Sequence, residues 1–146
     1  MKSFDIKTRI YFGDQALDRL AEIPYQKVLV VTDPFIAQGK MIELVTEPLR
    51  RGNKEFEIFK DVVPDPQIEK ISEGVHKMLE YRPDVIVAVG GGSAIDSSKS
   101  IREFALRVDH YADVGLIAIP TTSGTGSEVT SFAVVTDPAE QVKYPL

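Results

Sequence analysis

The sequence predicts an α/β fold, a mostly parallel sheet with helices on both faces. Three observations lead there. The apolar runs Lys27–Thr32, Val85–Val89 and Leu116–Ile119 have strand length and no polar alternation, which suits strands buried on both sides. Stretches with helical apolar spacing lie between such runs. The connections are also too long for hairpins, which leaves crossovers between parallel strands.

The elements follow in order. Phe4, Ile6, Thr8, Ile10 and Phe12 alternate with polar residues, the pattern of a half-buried strand at an edge or in a hairpin. Gly13-Asp14 ends it, and Ala16, Leu17, Leu20 and Ile23 trace a helical stripe that stops at Pro24. After Lys27–Thr32, Asp33-Pro34 reads as an N-cap with proline in the first helical position. Met41, Ile42, Leu44, Val45 and Leu49 form the next stripe; Pro48 is expected to kink or stop that helix, and Gly52 to cap it. Glu55–Phe59 is a third, partly polar strand, followed by the stiff extended turn 62–66. Ile68, Ile71, Val75, Met78 and Leu79 lie on one face of a helix that ends before Pro83. The run Val85–Val89 then enters Gly90-Gly91-Gly92-Ser93 and a helix to about Val108, with Ser93 as N-cap and Asp96 as a first-turn carboxylate. Leu116–Ile119 is a short buried strand ended by Pro120, and the hydroxyl-rich loop 121–127 follows. Residues 129–135 read as a strand or hairpin arm turned by Asp137-Pro138.

At 146 residues with a net charge of −5, the chain suits a single domain with a real core and no basic face for nucleic acid. It has no cysteine, which excludes disulfides and thiolate metal sites. No apolar leader opens it and no run reaches membrane length, so a cytoplasmic location is the expectation.

Strand, glycines, helix is a phosphate-binding geometry, because glycines admit close approach and the helix N-terminus presents free N–H groups. A plain tight turn would need only one glycine. The dinucleotide fingerprint G-x-G-x-x-G is absent, since Ile95 stands where its third glycine belongs, and there is no P-loop lysine. The loop Thr121–Ser127 holds hydroxyl donors and two glycines; a flexible polar loop has the same composition. Asp33 suits either ribose hydroxyls or helix capping. All these residues follow strands, so they can meet at one sheet edge. Lys99 is expected in solvent, and His76 and His110 at the surface without metal-ligand spacing.

Taken together, Gly90 to Lys99 (GGGSAIDSSK) resembles the GGGSxxDxxK signature of the iron-containing (group III) alcohol dehydrogenases. Pro120 to Thr130, with Ala133 to Asp137, resembles that family's second signature, and Val63-Pro64-Asp65-Pro66 resembles its V-x-P-x-P turn, where Asn is commoner than Asp65. The ending Lys143-Tyr144-Pro145-Leu146 is similar to the 1-propanol dehydrogenase branch. The resemblance implies that residues 1–146 are a Rossmann-like dinucleotide-binding domain, the N-terminal domain of a two-domain, dehydroquinate synthase-like enzyme. By motif match, the cofactor contacts fall on Asp33, Gly90, Gly91, Gly92, Ser93, Thr121, Thr122, Thr125 and Lys143, with Asp33 favouring NAD over NADP.

The same resemblance implies hydride transfer between a small primary alcohol and its aldehyde. It places the Fe²⁺ or Zn²⁺ ligands in a C-terminal helical domain beyond this chain, so that the chain alone is expected to be inactive. It further implies a homo-oligomer at full length and, through the propanol branch, a bacterial microcompartment. Two alternatives stand beside it. One is a stand-alone, non-catalytic nucleotide-binding module; the other is glycerol dehydrogenase or dehydroquinate synthase-like chemistry. A severed domain would leave Leu116–Ile119 and Val129–Val135 as bare surfaces.

Overall fold

Strands β1 (Lys27–Thr32), β2 (Glu55–Phe59), β3 (Val85–Gly90) and β4 (Gly115–Pro120) form one parallel sheet in the order β2-β1-β3-β4. The structure is a computed structural model describing residues 6–109, 113–140 and 142–145. Register is plain at the centre: Val28 lies between Phe56 and Val85, and Val30 between Ile58 and Val87.

Successive strand residues point to opposite faces, and here both sets are apolar because both faces are covered. Val28, Val30, Val85, Val87 and Val89 pack on one face with Leu20, Ile36, Ile42, Val45 and Leu49. Those come from the 3₁₀ helix Ala16–Glu22, from α1 (Pro34–Gln38) and α2 (Glu43–Arg51), and from the short turn between α1 and α2. Leu29, Val31 and Ile86 pack on the other face with Ile71, Met78 and Tyr81 of α3 (Ile68–Tyr81) and with Ala94, Ile101 and Ala105 of α4 (Gly92–Asp109). The expected mostly parallel sheet with helices on both faces is therefore present.

Several local expectations are corrected. Among the described residues, 6–12 form no strand and are exposed, Phe12 to 92%. Alternation supplies a face but not a partner strand, and no described strand pairs with this segment. Pro48 does not stop α2, which runs on to Arg51 with Pro48 buried in its core face. Gly52 caps that helix, its N–H donating to the Pro48 carbonyl at 2.9 Å. Its need for glycine is one of space, because a Cβ there would come 2.3 Å from the Ala21 carbonyl oxygen. The left-handed residue is the next one, Asn53, at φ 52°.

Helix α4 begins at Gly92, so Ser93 lies inside its first turn and is not the cap. Strand β4 is half-buried, not buried, because it is one of the two edge strands of the sheet. The arm expected at 129–135 begins only at Val134. Residues Ser127–Val129 form a 3₁₀ turn, and β5 (Val134–Asp137) pairs antiparallel with β6 (Val142–Pro145). The Thr136 N–H donates to the Pro66 carbonyl at 2.7 Å, tying this hairpin to the turn before α3.

Candidate functional site

The strand order reverses at the centre of the sheet: the chain leaves β1 for β2 on one side and returns to β3 on the other. Such a switch point opens a crevice beyond the strands' C-terminal ends. Thr32 and Gly90 end the two strands there, and the buried Thr32 hydroxyl donates to the Val89 carbonyl at 2.8 Å. Asp33 comes next. Its Oδ1 accepts the Ile36 N–H at 2.9 Å, the capping role. Its Oδ2 lies 3.8 Å from where a Gly90 Cβ would stand. One oxygen caps the helix and the other faces the crevice, so the two readings of Asp33 are compatible.

Gly90 has φ 150°, and a Cβ on it would press to 2.7 Å from the Ala94 Cβ. Glycine is required there both by backbone conformation and by the close return of α4. A Cβ on Gly91 would meet Thr122 Oγ1 at 3.1 Å, and one on Gly92 would meet Thr125 Oγ1 at 2.9 Å. The glycine loop and the hydroxyl loop are thus packed together, with two threonines seated where side chains would otherwise project. The Thr121 N–H donates to the Gly90 carbonyl at 3.0 Å, and Thr125 Oγ1 shares a 2.8 Å hydrogen bond with the buried Ser127 hydroxyl. Thr121, Thr122 and Thr125 are exposed.

Lys143 reaches the same place through Asp65. Its ammonium donates to Asp65 Oδ1 at 2.7 Å, and the Asp65 N–H donates to Ser93 Oγ at 3.3 Å. The turn 62–66 is not simply extended, since Asp65 is left-handed at φ 54°. Asn and Asp tolerate that region better than most residues, so either side chain suits this turn position. These contacts bring the predicted site residues Asp33, Gly90, Gly91, Gly92, Ser93, Thr121, Thr122, Thr125 and Lys143 together beyond the ends of β1, β3 and β4.

Sequence reasoning missed the support behind these loops. Lys99, expected in solvent, has a side chain only 12% exposed, and that of Asp96 is 14% exposed. The Lys99 ammonium donates to the Phe132 carbonyl at 2.7 Å and to Thr130 Oγ1 at 3.3 Å, and lies 3.6 Å from Asp96 Oδ1. Asp96 Oδ2 accepts the Val134 N–H at 3.2 Å, so its carboxylate serves the hairpin and not the helix's first turn. Burial lowers the Lys99 pKa from the ordinary lysine value, while Asp96 pulls the other way. The i, i+3 spacing of Asp96 and Lys99 was a signal for the pair; nothing local pointed to partners more than thirty residues away.

His76 is exposed on α3, and His110 lies outside the described residues. Among the described residues no three His, Asp or Glu side chains gather as metal ligands, and no helix is long and apolar enough to cross a membrane. A cleft of about 370 Å³ lies beside β4, lined by Lys99, Arg102, Phe104 and Leu116 among others. Its cations are already engaged: Arg102 donates to the Val114 carbonyl, and Arg107 pairs with Glu103.

The model of the family "Iron-containing alcohol dehydrogenase" matches residues 7–146. The chain is 41% identical to 1-propanol dehydrogenase of Citrobacter freundii, covering all of this chain and 39% of that protein. It is 37% identical to NAD-dependent methanol dehydrogenase of Bacillus methanolicus, covering 88% of this chain and 36% of that one. The iron-containing alcohol dehydrogenase of Thermococcus thioreducens superposes with a TM-score of 0.88 at 28% identity, over 99% of this chain and 43% of that chain. The chain spans about two fifths of the length of these relatives.

Proposed function

The chain belongs to the iron-containing alcohol dehydrogenase family, and from that premise we propose that it is the NAD-binding part of an enzyme interconverting a small primary alcohol and its aldehyde. The observation that carries this reading is the seating of Thr122 and Thr125 against Gly91 and Gly92 at the start of an 18-residue helix, with Asp33 Oδ2 turned to Gly90.

The residues fit a dinucleotide. The N–H groups of 91–93 and the N-terminus of α4 attract the pyrophosphate. The missing Cβ atoms of Gly91 and Gly92 let Thr122 and Thr125 seat against the loop, which brings their hydroxyls beside its N–H groups. Asp33 Oδ2 accepts from ribose hydroxyls and repels a 2′-phosphate, which favours NAD over NADP. The hydroxyls of Thr121, Thr122 and Thr125 donate to the dinucleotide, and Lys143 offers a cation beside Ser93. NAD, when bound, supplies hydride transfer at its nicotinamide ring. The chain's own part is to bind and orient it. The relative named for NAD dependence supports this choice of cofactor.

The Fe²⁺ or Zn²⁺ that the family implies finds no ligand set among the described residues, so no step is derived through it. We propose that the metal ligands belong to a further domain of the kind the longer relatives have room for, and that residues 1–146 alone turn over no alcohol. A homo-oligomer at full length, and a cytoplasmic or microcompartment setting, belong to the same reading.

Titration with NADH and separately with NADPH, followed by calorimetry, tests it. NADH binding with weak or absent NADPH binding is the expected result. Equal binding of the two removes the role given to Asp33, and binding of neither removes the cofactor assignment.

A further inference from the structure

The side chains of Lys99 and Asp96 hydrogen-bond not to the glycine loop but to the chain that follows the hydroxyl loop. The Lys99 ammonium donates to the Phe132 carbonyl at 2.7 Å and to Thr130 Oγ1 at 3.3 Å, and forms an ion pair with Asp96 Oδ1 at 3.6 Å. The same turn of α4 takes the Val134 N–H on Asp96 Oδ2. One helical turn thus grips residues 130–134, where the chain passes from the hydroxyl loop into the hairpin that carries Lys143. Thr130 also closes the 3₁₀ turn Ser127–Val129, its N–H bonding the Ser127 carbonyl at 3.5 Å. Ser127 in turn is the hydrogen-bond partner of Thr125. The path from the Lys99 ammonium to the threonine over Gly92 is therefore continuous.

Apart from the Thr121 N–H bond to the Gly90 carbonyl and the threonines packed on the glycines, the loop stands open. Thr121 to Thr125 are exposed, and a Cβ on Gly124 would meet nothing within 4 Å. Burying an ammonium is costly unless hydrogen bonds and a counter-charge compensate it; here Asp96 of the same helix supplies the charge, and both hydrogen bonds go to residues 130–132.

We propose that Lys99, supported by Asp96, is a positioning residue for dinucleotide binding: it fixes residues 130–134 on α4 and thereby holds Thr125 over Gly92. The inference rests on the cofactor reading above for its effect on affinity, but not for its effect on the loop.

The test compares Lys99→Met, which keeps most of the apolar stem and removes the donors, with Lys99→Arg and Thr130→Val. Val45→Ala, in the opposite core, serves as a control of lowered stability. Without cofactor, amide hydrogen exchange at Thr125 and Ser127 should quicken in Lys99→Met and Thr130→Val but not in Val45→Ala. NADH affinity should fall roughly tenfold in Lys99→Met and about threefold in Thr130→Val, the scale of losing a charged and a single hydrogen bond. Lys99→Arg should recover most of the loss. Unchanged loop exchange in Lys99→Met and Thr130→Val overturns the clamp, whatever happens to binding. Should Lys99→Met fail to fold, Thr130→Val decides alone. Faster exchange with unchanged NADH affinity overturns the link to the cofactor. Absence of NADH binding in the unaltered protein, with exchange responding as expected, overturns the cofactor reading and leaves the clamp standing.

Discussion

The two loops that meet at the crevice are held in place by different means. The glycine loop, 90–93, is the direct continuation of β3, whose residues are buried throughout, and it passes straight into α4. Its shape comes from the strand before it, the helix after it and the absence of Cβ atoms. The hydroxyl loop leaves the half-buried edge strand β4, is exposed over Thr121–Thr125, and is anchored by side chains of α4 and by its own serine and threonines. A loop built into the core resists everything except a change of backbone space. A loop anchored by polar contacts at a distance can be shifted without unfolding anything.

The largest effect is expected on the glycine side. Gly90→Ala adds a Cβ at φ 150°, 2.7 Å from the Ala94 Cβ, and should cost roughly 2–4 kcal/mol of stability from strain and overpacking together. Urea denaturation measures it, and a loss below about 1 kcal/mol would show that the loop is less rigidly framed than its surroundings indicate.

Gly92→Ala separates the loops more finely. Its Cβ meets the far end of a threonine side chain at 2.9 Å, so Thr125 can swing away while the helix gains a better former than glycine. Stability should change by less than about 1 kcal/mol, and NADH affinity should fall about tenfold, near 1.4 kcal/mol. A folded variant with undiminished affinity would remove Thr125 from the proposed site.

Asp33→Asn keeps a good cap, since Asn and Asp are near equals at that position, but removes the charge. The thermal midpoint should hardly move. The preference for NADH over NADPH should narrow about tenfold, the effect of losing a repulsion against the 2′-phosphate. Competitive titration of the two nucleotides reads it out, and an unchanged preference places the selectivity elsewhere. Thr122→Val is the mildest change, exchanging a hydroxyl for a methyl at an exposed position beside Gly91. It should weaken NADH binding by about twofold to threefold, with no change in folding.

Much of this was legible along the chain. Four strands read as continuous apolar or partly apolar runs, because a sheet covered on both faces needs no alternation; alternation itself misled at residues 6–12, which form no strand. Asp33 could be read as a cap from its neighbours alone, and Gly90–Gly92 as a close approach from their number. The two roles of Asp33 could not be apportioned until its two oxygens were seen facing different partners. Asp65 read as part of an extended turn, though its backbone is left-handed; Lys99 read as exposed, though its ammonium is enclosed by a segment more than thirty residues further on.

The sequence by itself determined the four strands of the parallel sheet and the helices between them, because apolar runs, helix periodicity, caps and glycine turns are set by residues within a few positions of one another. Only the tertiary structure decided which strands lie at the edges, that the switch point falls between β1 and β3, and which threonine rests on which glycine. Those are contacts between groups far apart in the chain, and they depend on how two covered faces and two edges divide the available apolar surface.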